Sequence, residues 1–342
     1  MSVPSPGWLR SPGWDACFLL APLGVTGVLA PFWPVGAELG WLGWLLTVVA
    51  VDVAHVWSTL WRTWLDPEAR VARAGLLWSL PLATLAAVSA CTAVAPERFW
   101  TGMAYVAVFH FIRQQAGFAS LYRLRAGLPG RDLGGRVERA ALQAMCAWAV
   151  LYWHVHGRPF SWFTANDFIQ PLPVWLLVPA GGLVGGIVLW HVALRLRDGR
   201  PNPGGDLWFL ATAANWMGGI VLASGDVGFT VANVLGHGIP YLALVWHTSR
   251  PTPTGEGAPA LGGAWLPALS LFLGLPLLLA VGEELAWDLC VWQERLPTLS
   301  LPEGLPPVAT ALLAVPQLTH YLLDGFIWKL DPALRRRLGG PA

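Results

Sequence analysis

The stretch LPALSLFLGLPLLLAV, residues 266–281, decides the fold of this chain. It contains no charged side chain and no alternation of polar and apolar positions. A strand of an outer-membrane barrel alternates over about ten residues, whereas a helix needs roughly 20 mostly apolar residues to cross a hydrocarbon core of about 30 Å. The stretch therefore predicts a membrane-spanning helix, and other parts of the chain repeat its composition.

The chain as a whole has the composition of a membrane protein. Of its 342 residues, 55% are hydrophobic and 12% are charged, and the mean hydropathy is +0.52. Soluble domains carry roughly 25% charged residues, because charge covers the surface that faces water. This composition excludes a soluble enzyme, a disordered scaffold and a nucleic-acid binder with a basic face. We expect membrane lipids around the protein and no nucleic acid as a partner.

Apolar windows long enough to cross the membrane recur along the whole sequence. They predict an all-α fold: a polytopic membrane helical bundle of about ten transmembrane helices. We expect the bundle to be a single integral-membrane domain, 1–342. The predicted spans are 15–33, 41–61, 74–95, 99–121, 140–156, 174–194, 207–223, 229–247, 264–282 and 306–328.

The basic residues fall mostly on one side of this predicted topology. An excess of Lys and Arg marks the cytoplasmic loops of membrane proteins, so both termini should be cytoplasmic. Only Arg98, Arg158 and Arg295 lie on the outer side, and Arg113 lies inside a span. The basic residues on the inner side are Arg10, Arg62, Arg70, Arg73, Arg123, Arg125, Arg131, Arg136, Arg139, Arg195, Arg197, Arg200, Arg250, Lys329, Arg335, Arg336 and Arg337.

Four histidines occupy similar depths within predicted spans. Each lies on a helix that runs from outside to inside, and a rise of 1.5 Å per residue places it roughly 10 to 20 Å above the cytoplasmic face. Ionisable groups are costly in hydrocarbon and by default mark function, although a single intramembrane histidine is as often only an interhelical hydrogen-bond partner. We therefore favour one joint metal site with these ligands: His55, His110, His237 and His320.

Two of these histidines have a carboxylate at helical spacing. Asp52 precedes His55 by three residues and Asp324 follows His320 by four, so each carboxylate shares a helix face with its imidazole. Such a carboxylate can bind the metal directly or hold the distal imidazole N–H. We expect Asp52 and Asp324 to act in one of these two ways.

Other polar side chains near the histidines are candidate catalytic residues. Arg113 and Gln114 follow His110 by three and four residues and are expected to orient substrate or oxidant. Tyr241 and Tyr321 are expected to be hydroxyl donors beside the site.

The ligand set leaves the metal open. Imidazoles and carboxylates suit Fe, Zn, Cu or Mn, and the four cysteines show no CxxC spacing that would indicate a thiolate site. Non-haem iron is our first choice, because in an apolar surround it could oxidise a C–H or C=C bond of a lipid-like or isoprenoid substrate, with a possible electron-donor protein. The alternatives are a zinc hydrolase of lipid amides or esters and a proton- or cation-coupled transporter. Haem binding by two of the histidines is a further possibility.

Four sequence blocks carry a resemblance to known families. They are DVAHVWSTLWR at 52–62, HFIRQQAG at 110–117, GHGIPY at 236–241 and HYLLDGFIWK at 320–329. These blocks resemble those of a family of polytopic bacterial membrane proteins with no assigned activity, which implies the bacterial cytoplasmic (inner) membrane.

Helix number and histidine placement resemble a broader class of histidine-rich membrane non-haem iron enzymes. That class contains the fatty-acid desaturases and hydroxylases and the bacterial carotene-cleaving dioxygenases. The HxxxH and HxxHH boxes of the desaturases are absent from this sequence, which disfavours their di-iron site. The arrangement is also similar to that of the alkaline ceramidase-like zinc hydrolases, which use three His and one Asp inside a helix bundle.

Overall fold

The secondary structure of the chain is helical. A computed structural model describes residues 7–157, 167–249, 265–294, 296, 305–330 and 332–338, and these ranges contain no β-strand. The predicted all-α class is confirmed for this part of the chain. The predicted basic positions Arg158, Arg250 and Arg295 lie outside the described residues.

Twelve helical segments are described in these ranges. Several are interrupted by short π-helical or 3₁₀ stretches, and we number them in chain order. They are α1 (Pro12–Phe32), α2 (Trp41–Arg62), α3 (Pro67–Ala72), α4 (Ala74–Val94), α5 (Pro96–Arg125), α6 (Leu133–His156), α7 (Val174–Asp198), α8 (Pro203–Trp216, continued by Met217–Leu222), α9 (Asp226–Ser249), α10 (Leu266–Trp292), α11 (Leu305–Ile327) and α12 (Pro332–Arg337).

Six of these helices are long and apolar enough to cross a membrane, namely α1, α2, α4, α7, α9 and α10. These six helices indicate a membrane protein. Helices also occupy the four other predicted positions, as α5, α6, α8 and α11. The count of about ten spans, the cytoplasmic termini and the bacterial inner membrane stay predictions.

The chain divides into two compact units. Unit 1 comprises Met1–Gly40, Ala104–Pro240 and Leu338–Ala342, and unit 2 comprises Trp41–Met103 and Tyr241–Arg337. The boundaries fall within α5 and α9, so each of these helices has residues in both units. The single domain expected from the sequence stays a prediction.

In unit 1, α1 packs directly on α8 through glycines. A methyl group on Gly218 would collide with the carbonyl oxygen of Gly27, so the two backbones touch where neither residue has a side chain. Asn215 lies at the same crossing and donates from Nδ2 to the carbonyls of Leu23, at 3.1 Å, and Ala232, at 2.8 Å. Small residues allow such close approach of two helices. In lipid, the hydrogen bonds of the Asn215 side-chain amide connect helices that the hydrophobic effect alone does not hold together.

In unit 2, α11 packs on α4 and α10 packs on α2. The buried carboxylate of Glu283 on α10 accepts hydrogen bonds from the indole N–H of Trp57, at 2.6 Å, and of Trp287, at 3.4 Å. These bonds satisfy a carboxylate that lipid would not solvate, and the one from Trp57 ties α10 to α2.

The helix α2 changes its winding where it carries polar residues. It is π-helical over Leu45–Val53, α-helical over Ala54–Ser58 and 3₁₀-helical over Thr59–Arg62. The π form replaces i→i+4 hydrogen bonds by i→i+5 bonds and is frequent at functional sites. It shifts the side chains that follow it around the helix axis relative to a regular α-helix.

Replacing Gly218 by alanine should destabilise unit 1, because the added methyl forces α1 and α8 apart. Overpacking of this kind costs about 1–3 kcal/mol. Unfolding in dodecyl sulfate mixed micelles measures the change in the free energy of unfolding. The matched control is Gly185→Ala on α7, where an added methyl meets open space and alanine should be neutral or stabilising. Equal stabilities of the two variants would contradict the close helix crossing.

Candidate metal centre

Unit 2 contains a pair of buried histidines. His55 on α2 and His320 on α11 are each 1% exposed, and their ring centroids lie 5.0 Å apart with the planes at 79°. The two residues are more than 250 positions apart in the sequence, so their meeting is a result of the fold.

Unit 1 contains a second pair with nearly the same geometry. His110 on α5 and His237 on α9 are buried, and their ring centroids lie 5.1 Å apart with the planes at 77°. The ring of His237 also stacks on Phe111 at 3.8 Å, which restricts its rotation.

The spacing within each pair is that of two imidazoles on one metal ion. Metal–nitrogen bonds near 2.0–2.1 Å place each ring centroid roughly 3.2 Å from the ion. At a tetrahedral angle, two such centroids are then roughly 5 Å apart. Edge-to-face packing of aromatic rings gives the same range of separations, as for Tyr241 and His320 at 5.0 Å and 83°, so the spacing is compatible with a shared ion but is not specific to one.

All four histidines are buried imidazoles that could ligate a metal ion, His55 and His320 in unit 2 and His110 and His237 in unit 1. We refer to these four residues as the histidine group. The coarser prediction of a buried, potentially metal-binding group is therefore confirmed. The identity of a metal, and the residues that ligate it, stay predictions.

A chain of hydrogen bonds leads away from His320 within unit 2. Its Nδ1 lies 2.7 Å from the hydroxyl of Thr59, which lies 3.0 Å from the hydroxyl of Tyr241. Tyr241 donates to Oδ1 of Asp324 at 2.7 Å, and the indole N–H of Trp328 donates to the same oxygen at 3.2 Å. We call the sequence His320–Thr59–Tyr241–Asp324 the relay.

With Asp324 ionised, the relay has one direction, and that direction sets the protonation of His320. Tyr241 uses its one proton on Asp324, so its oxygen accepts from Thr59. The Thr59 oxygen then accepts from the Nδ1–H of His320. With Nδ1 protonated, Nε2 carries the lone pair and is the atom that would coordinate a metal.

The same reasoning applies to His55. Its Nδ1 lies 3.3 Å from the carbonyl of Val51, which can only accept, so Nδ1 carries the proton and Nε2 is the coordinating atom. The nearest oxygen of Asp52 is 3.7 Å from Nδ1. Asp52 thus lies beside the imidazole, as its spacing predicts, but the hydrogen bond goes to the backbone carbonyl.

Asp324 reaches its histidine indirectly. Its Oδ1 is 3.8 Å from the Nδ1 of His320, which is too long for a hydrogen bond, and Thr59 and Tyr241 bridge the gap. Of the two expected roles, direct ligand or support for the distal N–H, this geometry favours support.

The predicted catalytic side chains have separate surroundings. Gln114 donates from Nε2 to the carbonyl of His237 at 3.0 Å, so it positions a histidine of the group. Arg113 is exposed. The hydroxyl of Tyr321 accepts from Gln317 at 2.7 Å, whereas Tyr241 belongs to the relay. The substrate-orienting roles predicted for Arg113 and Gln114 stay predictions.

Two residues of the relay region were missed by the sequence reasoning. Thr59 follows His55 by four residues on the same helix, a spacing that would have placed its hydroxyl near the histidine. Trp328 follows Asp324 by four residues, a spacing that would have predicted a hydrogen bond from its indole N–H to the Asp324 carboxylate.

Two further buried histidines lie elsewhere in unit 1. Nε2 of His154 lies 2.9 Å from the hydroxyl of Tyr105, and His191 stacks on Phe209 at 4.6 Å. Neither belongs to the histidine group. They are useful controls, because each is a buried imidazole in an ordinary packing role.

No family model, no curated protein and no solved structure matches this chain.

Replacing Thr59 by valine should weaken metal binding, because Nδ1 of His320 loses its acceptor and the imidazole its orientation. Loss of such a supporting hydrogen bond typically costs 10–100-fold in affinity. Competition with a chelator measures the affinity in detergent, and Thr59→Ser should restore it. Thr63→Val is the matched control, since that hydroxyl donates to the backbone carbonyl of Thr59 at 2.7 Å. Wild-type affinity in Thr59→Val would contradict the role of the relay.

Proposed function

We propose that this protein is an integral-membrane metalloenzyme, a non-haem iron oxidoreductase that acts on a lipid-like or isoprenoid substrate. Its metal ligands are His55, His110, His237 and His320. The observation that carries the proposal is a pair of buried imidazoles within each unit, and both pairs have the spacing of two ligands on one ion.

Burial in a membrane protein supports a ligand role for these imidazoles. A polar ring within hydrocarbon costs free energy unless a partner satisfies it, and a shared metal ion satisfies one nitrogen of each ring. The remaining nitrogens of His55 and His320 are held by Val51 and Thr59. This division, with one nitrogen for the ion and the other for a fixed acceptor, is the usual arrangement of metal-binding histidines.

The number of ligands supports iron over zinc. Zinc in proteins is almost always four-coordinate, and catalytic zinc keeps one of its positions for water. Four histidines would fill a zinc ion and leave no place for the water that a hydrolase needs. Iron with a higher coordination number keeps open positions beside four imidazoles, as in the oxygenases that bind dioxygen at such positions.

The relay would strengthen the electron donation of His320 to a bound metal ion. Asp324 receives two hydrogen bonds, from Tyr241 and Trp328, so its carboxylate is stabilised where it lies. Hydrogen bonding through Tyr241 and Thr59 makes the imidazole of His320 a stronger donor to a cation. Bound iron would supply the oxidation of a C–H or C=C bond by dioxygen. Hydroxylation or desaturation would also require an electron-donor protein.

Elemental analysis of detergent-purified protein tests the proposal. We expect about one iron per chain, lost in His55→Ala, His110→Ala, His237→Ala and His320→Ala, because each change removes one ligand. The matched controls are His154→Ala and His191→Ala, which remove a buried imidazole outside the histidine group and should keep the iron.

Three results would count against the proposal in different ways. Full iron content in all four variants would remove the histidine group as the ligand set. Stoichiometric zinc in place of iron would overturn the iron oxidoreductase. Absence of any metal, after expression in medium supplemented with iron and zinc, would overturn both enzymes.

A further inference from the structure

Unit 2 contains a pocket of about 450 Å³ beside the relay. Its walls come from α2, α4 and α11 and from Trp64 just after α2. Its volume lies in the range of roughly 300–1,000 Å³ that is typical of small-molecule sites. We call it the lateral pocket, and the residues used below are Val56, Thr59, Leu82, Val315, Thr319 and His320.

The lateral pocket reaches the surface that faces lipid. Trp78 and Leu82 on α4 line it and are 67% and 65% exposed, whereas His320 at the opposite wall is 1% exposed. A molecule dissolved in the bilayer can therefore enter past Trp78 and Leu82 on the exposed face of α4 and end beside an imidazole of the histidine group.

None of the residues that line the pocket, among those the structure describes, is an Asp, Glu, Lys or Arg. A charged headgroup placed there would lose its hydration without gaining an ionic partner, which is costly in an apolar site. The lining thus favours a neutral chain over a fatty-acid carboxylate or a phospholipid headgroup.

One polar group on the wall points to a specific feature of the ligand. The side chain of Thr319 is 96% buried, since 4% of it is exposed, and its hydroxyl has no hydrogen-bond partner among the described residues. A threonine in a helix ordinarily satisfies its hydroxyl on a preceding carbonyl, as Thr63 does with Thr59. A neutral oxygen of a ligand would satisfy the Thr319 hydroxyl, one residue from His320.

We propose that the lateral pocket is the substrate site and binds one long hydrocarbon chain with a neutral oxygen function, an alcohol or aldehyde, at its inner end. Thr319 donates to that oxygen, and the chain extends past Val315 and Leu82 towards the bilayer. The assignment of the ligand as a substrate rests on the proposed metalloenzyme. The binding of a hydrocarbon chain in the lateral pocket does not depend on that proposal.

Photolabelling in lipid vesicles tests the proposal. The probe is hexadecanol with a diazirine in its chain, and mass spectrometry locates the labelled peptides. We expect labels within residues 56–64, 78–82 and 315–323, competed at least tenfold better by hexadecanol than by hexadecane. A phosphatidylcholine with the same diazirine in its acyl chain distinguishes a lipid chain from a free one.

Two variants examine the pocket itself. Val315→Trp fills it and should abolish labelling, and Leu312→Trp is the matched control, because Leu312 lies on the same helix with its side chain 54% exposed. In Thr319→Val the preference for hexadecanol over hexadecane should disappear while hexadecane still competes. The metal content of all three variants should equal that of the wild type.

The outcomes separate this inference from the proposed function. Labelling of the pocket in a protein that binds no metal supports the chain site and overturns the metalloenzyme. Stoichiometric iron with no label in these peptides overturns the chain site alone. Equal labelling by the phospholipid probe that Val315→Trp does not change would show an ordinary lipid contact and overturn the proposal. A preference for hexadecanol over hexadecane that persists in Thr319→Val would also overturn it.

Discussion

The absence of water from the hydrocarbon core is the constraint on which the rest of this structure depends. A polar side chain on a span cannot be solvated there, so it must find its partner within the protein. Glu283 is held by two indoles, Asn215 by two carbonyls, and Asp324 by Tyr241 and Trp328. His55 and His320 obey the same requirement, because Val51 and Thr59 hold their Nδ1 atoms and leave Nε2 of each ring for a cation. The hydrogen bonds that would support a metal ion are therefore also the bonds that permit these polar residues to be buried.

Much of the fold could be predicted because charge is so scarce in the sequence. Uncharged runs such as 266–281 predict helices, and helices occupy the predicted positions. The winding of α2 could not be predicted, because the π-helical stretch Leu45–Val53 reflects packing and not local propensity. The close crossing of Gly27 and Gly218 was equally hidden, since it depends on two glycines nearly 200 positions apart that show no distinguishing pattern around them.

The residues of the candidate site could be predicted from the sequence, but the hydrogen bonds between them could not. Depth counting along regular helices selected the four histidines, and these are the residues of the buried group. Spacing along one helix also placed Asp52 and Asp324 near their imidazoles. It could not show that Val51 takes the hydrogen bond of His55, or that Thr59 from α2 inserts between His320 and Tyr241. Such contacts join distant parts of the chain, and helical periodicity contains no information about them.

Thr59 and His320 belong both to the relay and to the wall of the lateral pocket. The same hydroxyl that orients the imidazole therefore also lines the pocket that we propose for a hydrocarbon chain. A ligand that presses on Thr59 would also disturb the Nδ1 hydrogen bond of His320, and with it the donor strength of Nε2. If both proposals hold, occupation of the pocket and the properties of the metal site would be coupled through one short side chain. This coupling gives a physical reason for a threonine at this position, where valine would fill the same volume in lipid at lower desolvation cost.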